Sequence, residues 1–186
     1  MPHLEPLPEA KDQIFDAVDN NWVDVHAPIW SRPFLKLARM DRPIGTWLLL
    51  LPCWWGLLIG IINTGSPKLN DLWIFVGCAV GAVLMRGSGC TWNDINDRKI
   101  DAKVARTKLR PIPSGSVSVK KAAFWMLAQA LMALFILLTF NTTAIILGFI
   151  AILPVAIYPF AKRFTWWPQF FFCLLYTSPS PRDNTG

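Results

Sequence analysis

The sequence predicts an all-α protein, a polytopic bundle of transmembrane helices. Three observations carry that expectation. Hydrophobic residues make up 53% of the 186 residues and charged residues only 16%. Four runs, at about 44–62, 72–90, 122–140 and 144–160, are almost uninterrupted apolar sequence, and each approaches the roughly 20 residues that a helix needs to cross hydrocarbon. Basic residues collect on alternate connections between these runs, the asymmetry of cytoplasmic loops. A soluble bundle would need polar faces that the four runs lack.

In chain order, residues 1–28 read as a polar cytoplasmic extension with room for one short helix. Glu5, Glu9, Asp12, Asp16, Asp19 and Asp24 stand there against Lys11, the wrong sign for a mitochondrial transit peptide. The first apolar run begins only near residue 44, so no secretory signal is visible, and a bacterial cell inner membrane is the expected location. A membrane domain is expected over residues 29–171. Its first stretch, IWSRPFLKLARMDR (29–42), mixes Trp, Phe and Leu with bases and reads as an interfacial helix on anionic headgroups. Pro43 suits the first turn of span one. In span two, Gly77 and Gly81 form a GxxxG pair; it either admits a neighbouring helix or reflects the abundance of glycine in membrane helices. The short link at 141–143 makes spans three and four an antiparallel hairpin. Pro154 and Pro159 predict a kink or an early end to span four. Residues 164–176 start like a fifth span that Pro168 interrupts. They are expected to be re-entrant or interfacial, or to mark a truncation, the favoured reading. Residues 172–186, which include LLYTSPSPRDNTG, are expected to be a non-native tail.

The net charge of +6 raises the question of nucleic acid, but the placement of the charge answers it. Arg32, Lys36, Arg39 and Arg42 precede span one. Arg98, Lys99, Lys103, Arg106, Lys108, Arg110, Lys120 and Lys121 lie between spans two and three, and Lys162 and Arg163 follow span four. The alternate connections carry only Lys68. This is a topology signal, so no nucleic-acid partner is expected, and the N-terminus and the loop after span two belong in the cytoplasm. Cys53, Cys78, Cys90 and Cys173 sit in apolar runs without a CxxC spacing, which points to packing rather than zinc or disulfides.

The informative stretch is NDINDRKID, residues 93–101, which ends span two with an Asn and three acids. On a continuing helix Asn93, Asp97 and Asp101 share one face at i, i+4 and i+8, with Asp94 at its edge. Such hard oxygen donors suit Mg²⁺, which takes few carboxylates and fills its remaining positions with water and phosphate oxygens. The following RKIDAKVARTKLRPIPSG supplies the cations that a diphosphate needs, although plain topology also accounts for them. No Gly-rich phosphate loop is present. The expected ligand is therefore a diphosphate attached to a group that dissolves in membrane.

At these residues the chain resembles the UbiA family of membrane prenyltransferases. The matching runs are RMDRPIGTWLLLLPCWWGL, LMRGSGCTWNDINDRKIDAKVARTKLRPIPSG and YPFAKRFTWWPQ; RPIG and YPFxKR narrow the resemblance to the ubiquinone branch. It implies nine transmembrane helices around a central cavity, of which about four to five are present here. It implies Mg²⁺-dependent transfer of a polyprenyl chain from polyprenyl diphosphate to the ring carbon beside the hydroxyl of 4-hydroxybenzoate. Asn93, Asp97 and Asp101 would hold metal, and Asp94 would ligate metal or orient a basic neighbour. Arg110, Lys162 and Arg163 become candidates for phosphate or for the acceptor's carboxylate. Arg42 is a further candidate that a lipid contact explains equally well. The family also carries a second aspartate-rich motif in its later half. After Asp101 the only acid here is Asp183, so the chain is expected to be an N-terminal half that is inactive alone. Two rivals stand beside this reading: a non-catalytic membrane component or cation-transport fragment, and a family enzyme with another acceptor, such as a naphthoquinone precursor, haem or chlorophyllide.

Overall fold

The computed structural model describes residues 21–164 except Arg106, with side chains described as far as residue 160. The described residues are helical, without strands: α1 (Trp22–His26), α2 (Arg32–Leu37), α3 (Ile44–Thr64), α4 (Leu69–Asp101), α5 (Val119–Leu138) and α6 (Thr142–Phe164). Residues 1–20 of the expected extension, residues 165–171 and the expected tail at 172–186 lie outside the described residues.

Each long helix begins where local chemistry allows it. Pro43 precedes α3. The Asp71 carboxylate accepts the Lys68 N–H at 2.7 Å at the start of α4, Ser118 accepts from the Lys121 N–H at α5, and Asn141 accepts from the Ala144 N–H at 2.8 Å at α6. Such caps satisfy donors that a helix start otherwise leaves open. Gly65 ends α3 in the left-handed region at φ 77°, where glycine meets no steric penalty.

α3, α4, α5 and α6 are each long and apolar enough to cross a membrane, and only 6% to 22% of each apolar window is buried within the protein. A water-soluble protein does not leave so much contiguous apolar surface open; surrounding lipid accounts for it. The protein is a multi-pass membrane protein. α4 is the central element and packs against α3, α5, α6 and α2. Its 33 residues make a helix of about 50 Å at about 1.5 Å per residue, well beyond the roughly 30 Å of hydrocarbon. That length leaves room for its last turns, which carry NDINDRKID, to project past the apolar layer.

α6 runs through both Pro154 and Pro159, so the early end expected of span four does not occur; helices in lipid tolerate proline where neighbouring groups take up the freed carbonyls. The GxxxG pair divides. A Cβ at Gly77 would come within 2.9 Å of the Phe140 ring and 3.2 Å of Ile136, whereas one at Gly81 meets nothing within 4 Å. Gly77 thus admits the end of α5, and Gly81 faces open space. Gly77→Leu is expected to lower stability in detergent by about 1–3 kcal/mol through overpacking, while Gly81→Ala raises it by up to about 1 kcal/mol through helix propensity. Thermal unfolding of the two variants measures the contrast.

The stretch at 29–42 is less regular than the sequence suggests. Only α2 is helical, and its bases turn inward. Lys36 Nζ pairs with Asp24 at 2.7 Å, Arg32 Nε donates to the Ala27 carbonyl at 2.9 Å, and Arg39 reaches α4. Burial pushes the Asp24 carboxyl up, but the hydrogen bonds from Lys36 and Asn21 outweigh it and hold the group below the usual carboxylate range. α2 rests on a small core of Leu37, Ile112, Val117 and Ala122, flanked by Phe34, Ile95 and Trp125. That core fastens the segment before span one and the loop after α4 to the same end of the bundle.

Candidate functional site

The site is built on the last turns of α4. Asp94 is 1% exposed, Asp97 6% and Asp101 7%, and Asn93 is half-buried. Carboxylates this deep need compensating partners. Arg39 Nη2 donates to Asp94 Oδ1 at 2.9 Å and to Oδ2 at 3.1 Å. Arg110 Nη1 donates to Asp94 Oδ1 at 3.3 Å and to Asp101 Oδ2 at 2.9 Å. Thr107 Oγ1 donates to the Asp101 carbonyl at 3.0 Å and so caps the end of α4. Two arginines from distant segments thus converge on two carboxylates of one helix.

The helical spacing expected for Asn93, Asp97 and Asp101 is present, since α4 is unbroken from Leu69 to Asp101. Asp94 pairs with two basic side chains, Arg39 and Arg110. Arg110 is engaged by the acids rather than held out alone. Arg42 Nε pairs with buried Asp41 at 3.1 Å, which draws it toward the protein. Lys162 and Arg163 fall within α6, but their side chains lie outside the described residues.

Donor chemistry decides what metal this face suits. The donors of Asn93, Asp97 and Asp101 are hard oxygens, the kind that suits an ion such as Mg²⁺. Arg110 takes Oδ2 of Asp101, and among the described residues Oδ1 accepts no hydrogen bond. Among the described residues no group of three or more His, Cys, Asp or Glu is gathered to hold a metal ion. Asn93, Asp97 and Asp101 offer oxygens along one helical face, fewer than a full ligand shell for such an ion.

Sequence reasoning missed Arg39 and Arg86. Arg39 read as a topology signal, and nothing in its spacing points 55 residues ahead to Asp94. Arg86 stood in plain view, a lone cation inside an apolar run, which is by itself a functional pointer. Its Nη2 donates to the Arg42 carbonyl at 3.2 Å, and its buried Nε has no hydrogen-bond partner. Among the described residues no carboxylate pairs with it. Gly45 makes room for it, since a Cβ there would overlap the Arg86 guanidinium. An apolar groove of about 260 Å³ lies between Trp22, Met40, Trp47, Leu50 and Val83.

The chain is similar to known prenyltransferases over most of its length. It is 45% identical over 151 residues to the mitochondrial 4-hydroxybenzoate polyprenyltransferase of Arabidopsis thaliana, covering 81% of this chain and 36% of that protein. It is 45% identical over 148 residues to the 4-hydroxybenzoate octaprenyltransferase of Shewanella loihica, covering 80% and 50%. It is 43% identical over 152 residues to 4-hydroxybenzoate geranyltransferase 2 of Lithospermum erythrorhizon, covering 81% and 48%. The chain thus spans half or less of the length of these relatives. No solved structure matches it. Residues 49–181 match the model of the UbiA prenyltransferase family, and with the identities above this places the chain in the UbiA prenyltransferase family.

Proposed function

We propose that this chain forms the donor-binding part of an enzyme that transfers a polyprenyl group from its diphosphate to the ring of 4-hydroxybenzoate. The observation that carries the reading is the acid face of α4, set beside Arg39 and Arg110 at the end of a membrane-length helix. The relatives' names supply the acceptor and the prenyl group. The family is generally dependent on a divalent metal, and Mg²⁺ is the ion proposed here. When bound, Mg²⁺ would supply charge stabilisation for the departing diphosphate.

In the overall reaction the bond between the allylic carbon and the diphosphate oxygen breaks. A bond forms to the ring carbon beside the phenol hydroxyl, and the ring proton leaves. This chain's residues do three things. Asn93, Asp97 and Asp101 present oxygens where the diphosphate's charge must be met. Lys162 and Arg163, near the end of α6, are proposed to meet diphosphate oxygens. Arg86, a cation without a described carboxylate partner, is proposed to receive the carboxylate of 4-hydroxybenzoate. Joining the chain to the second half of its Shewanella loihica relative, in membranes of a host lacking its own enzyme, tests the reading. Labelled 4-hydroxybenzoate should become prenylated only when a polyprenyl diphosphate and Mg²⁺ are both present. Prenylation of a different aromatic in its place would favour the rival acceptor.

A cation-transport reading is disfavoured by depth. About 36 Å of helix separates Leu69 from Asn93 at about 1.5 Å per residue, more than the roughly 30 Å of hydrocarbon, which supports acids at the membrane boundary rather than at mid-membrane. The proposed setting is a cell inner membrane with the N-terminus and the acid face cytoplasmic. Reporter fusions should then report Lys108 inside and Ser66 outside; a periplasmic Lys108 overturns the orientation and the site with it.

A further inference from the structure

Asp94 lies within the acid motif and is held by two arginines. Both of its oxygens accept from Arg39, and Oδ1 also accepts from Arg110. The Arg39 backbone supplies a second, independent observation. The Arg39 N–H donates to the Lys36 carbonyl at 3.1 Å, and the Met40 N–H donates to the Leu35 carbonyl at 3.0 Å. This pair of bonds closes a helix with its next residue in the left-handed region, a position normally given to glycine. Arg39 holds φ 56° there, alone among the described non-glycine residues. An L side chain in that region carries a steric penalty, and such strain persists where the side chain is needed. Here the side chain spans from the turn after α2 to the buried carboxylate on α4. Arg110 lies in the middle of the loop after α4, whose Ile112 and Val117 pack on Leu37 of α2.

We propose that Asp94 is a positioning residue and not a metal ligand. With Arg39 and Arg110 it clamps the turn after α2 and the loop after α4 onto the end of α4. The clamp fixes the rotation of α4 that presents Asn93, Asp97 and Asp101 to the donor's diphosphate. The role of that presented face rests on the functional reading above; the clamp itself does not.

Two measurements separate the clamp from that reading. The first is a double-mutant cycle on the thermal unfolding of this chain in detergent. If Arg39 served only the turn, Arg39→Gly would relieve strain and raise the midpoint. The clamp predicts the opposite: Arg39→Gly lowers the midpoint by about 2–4 °C or more, and the loss disappears or reverses in an Asp94→Asn background. A rise in both backgrounds overturns the clamp. The second measurement uses the chain joined to its relative's second half. Arg39→Gly and Asp94→Asn should each lower kcat by about 10–100-fold, with KM for the polyprenyl diphosphate held within about twofold. The double variant should lose no more than either single one, because residues acting as a unit are not additive, and Arg39→Lys should recover part of the loss. Additive losses, or a KM rise that carries the whole effect, overturn the positioning role. A coupled cycle in a protein that transfers no prenyl group would sink the functional reading and leave the clamp standing.

Discussion

Asp97→Ala, made in the chain joined to a relative's second half, is expected to lower kcat by about 10²–10³-fold, or about 3–4 kcal/mol of transition-state stabilisation. Membrane insertion and thermal stability should change little. Asp97 is buried on the central stripe of the acid face, where its oxygens would bear on a metal that meets the growing charge of the leaving diphosphate. That charge is greatest in the transition state, so the loss should fall on kcat more than on substrate binding. Asp71→Ala is the matched control on the same helix. It removes the carboxylate that caps α4 and should cost about 1 kcal/mol of stability with turnover unchanged. Near-normal turnover of Asp97→Ala in excess Mg²⁺ would show that Asp97 does not hold the ion.

Arg86→Leu is expected to act on the acceptor and in the opposite thermodynamic sense. A hydrogen bond to a charged partner is worth about 1.5–3 kcal/mol, so KM for 4-hydroxybenzoate should rise by about 10–100-fold. Stability should hold or increase. The guanidinium has one described partner, the Arg42 carbonyl, and removing a poorly compensated charge from an apolar span relieves desolvation. A purely structural arginine would give the reverse pattern, with lost stability and an unchanged KM. Steady-state kinetics and thermal unfolding on the same preparation distinguish the two.

The four spans were legible because hydrophobic length is a one-dimensional signal. Runs placed at about 44–62 and 122–140 became α3 and α5 with ends displaced by three residues or fewer. The i, i+4, i+8 stripe of Asn93, Asp97 and Asp101 was legible for a related reason: helical geometry converts spacing directly into a shared face. Contacts between segments were not legible. Arg39 and Arg42 look alike in RMDR, yet one reaches α4 while the other turns to its neighbour Asp41. The difference comes from the left-handed turn at Arg39, which no local sequence rule assigns to arginine. Glycine told a similar story. Gly77 and Gly81 are equivalent in pattern, and only the register of α5 against α4 makes one of them matter. Arg86 was available to a rule about charges in apolar runs, and the weight given to loop charges concealed it.

The central claim is that the acid face of α4 holds the metal that meets the diphosphate, and it can be read without any turnover. Mn²⁺ substitutes for Mg²⁺ at oxygen sites and broadens the phosphorus resonances of a diphosphate that it touches. The measurement is the ³¹P spectrum of an unreactive polyprenyl thiolodiphosphate, taken with Mn²⁺ and the joined protein and repeated with Asp97→Ala. The account predicts strong broadening with the parent protein and its loss in the variant at the same metal concentration. Equal broadening in both would place the metal elsewhere and contradict the assignment of this face.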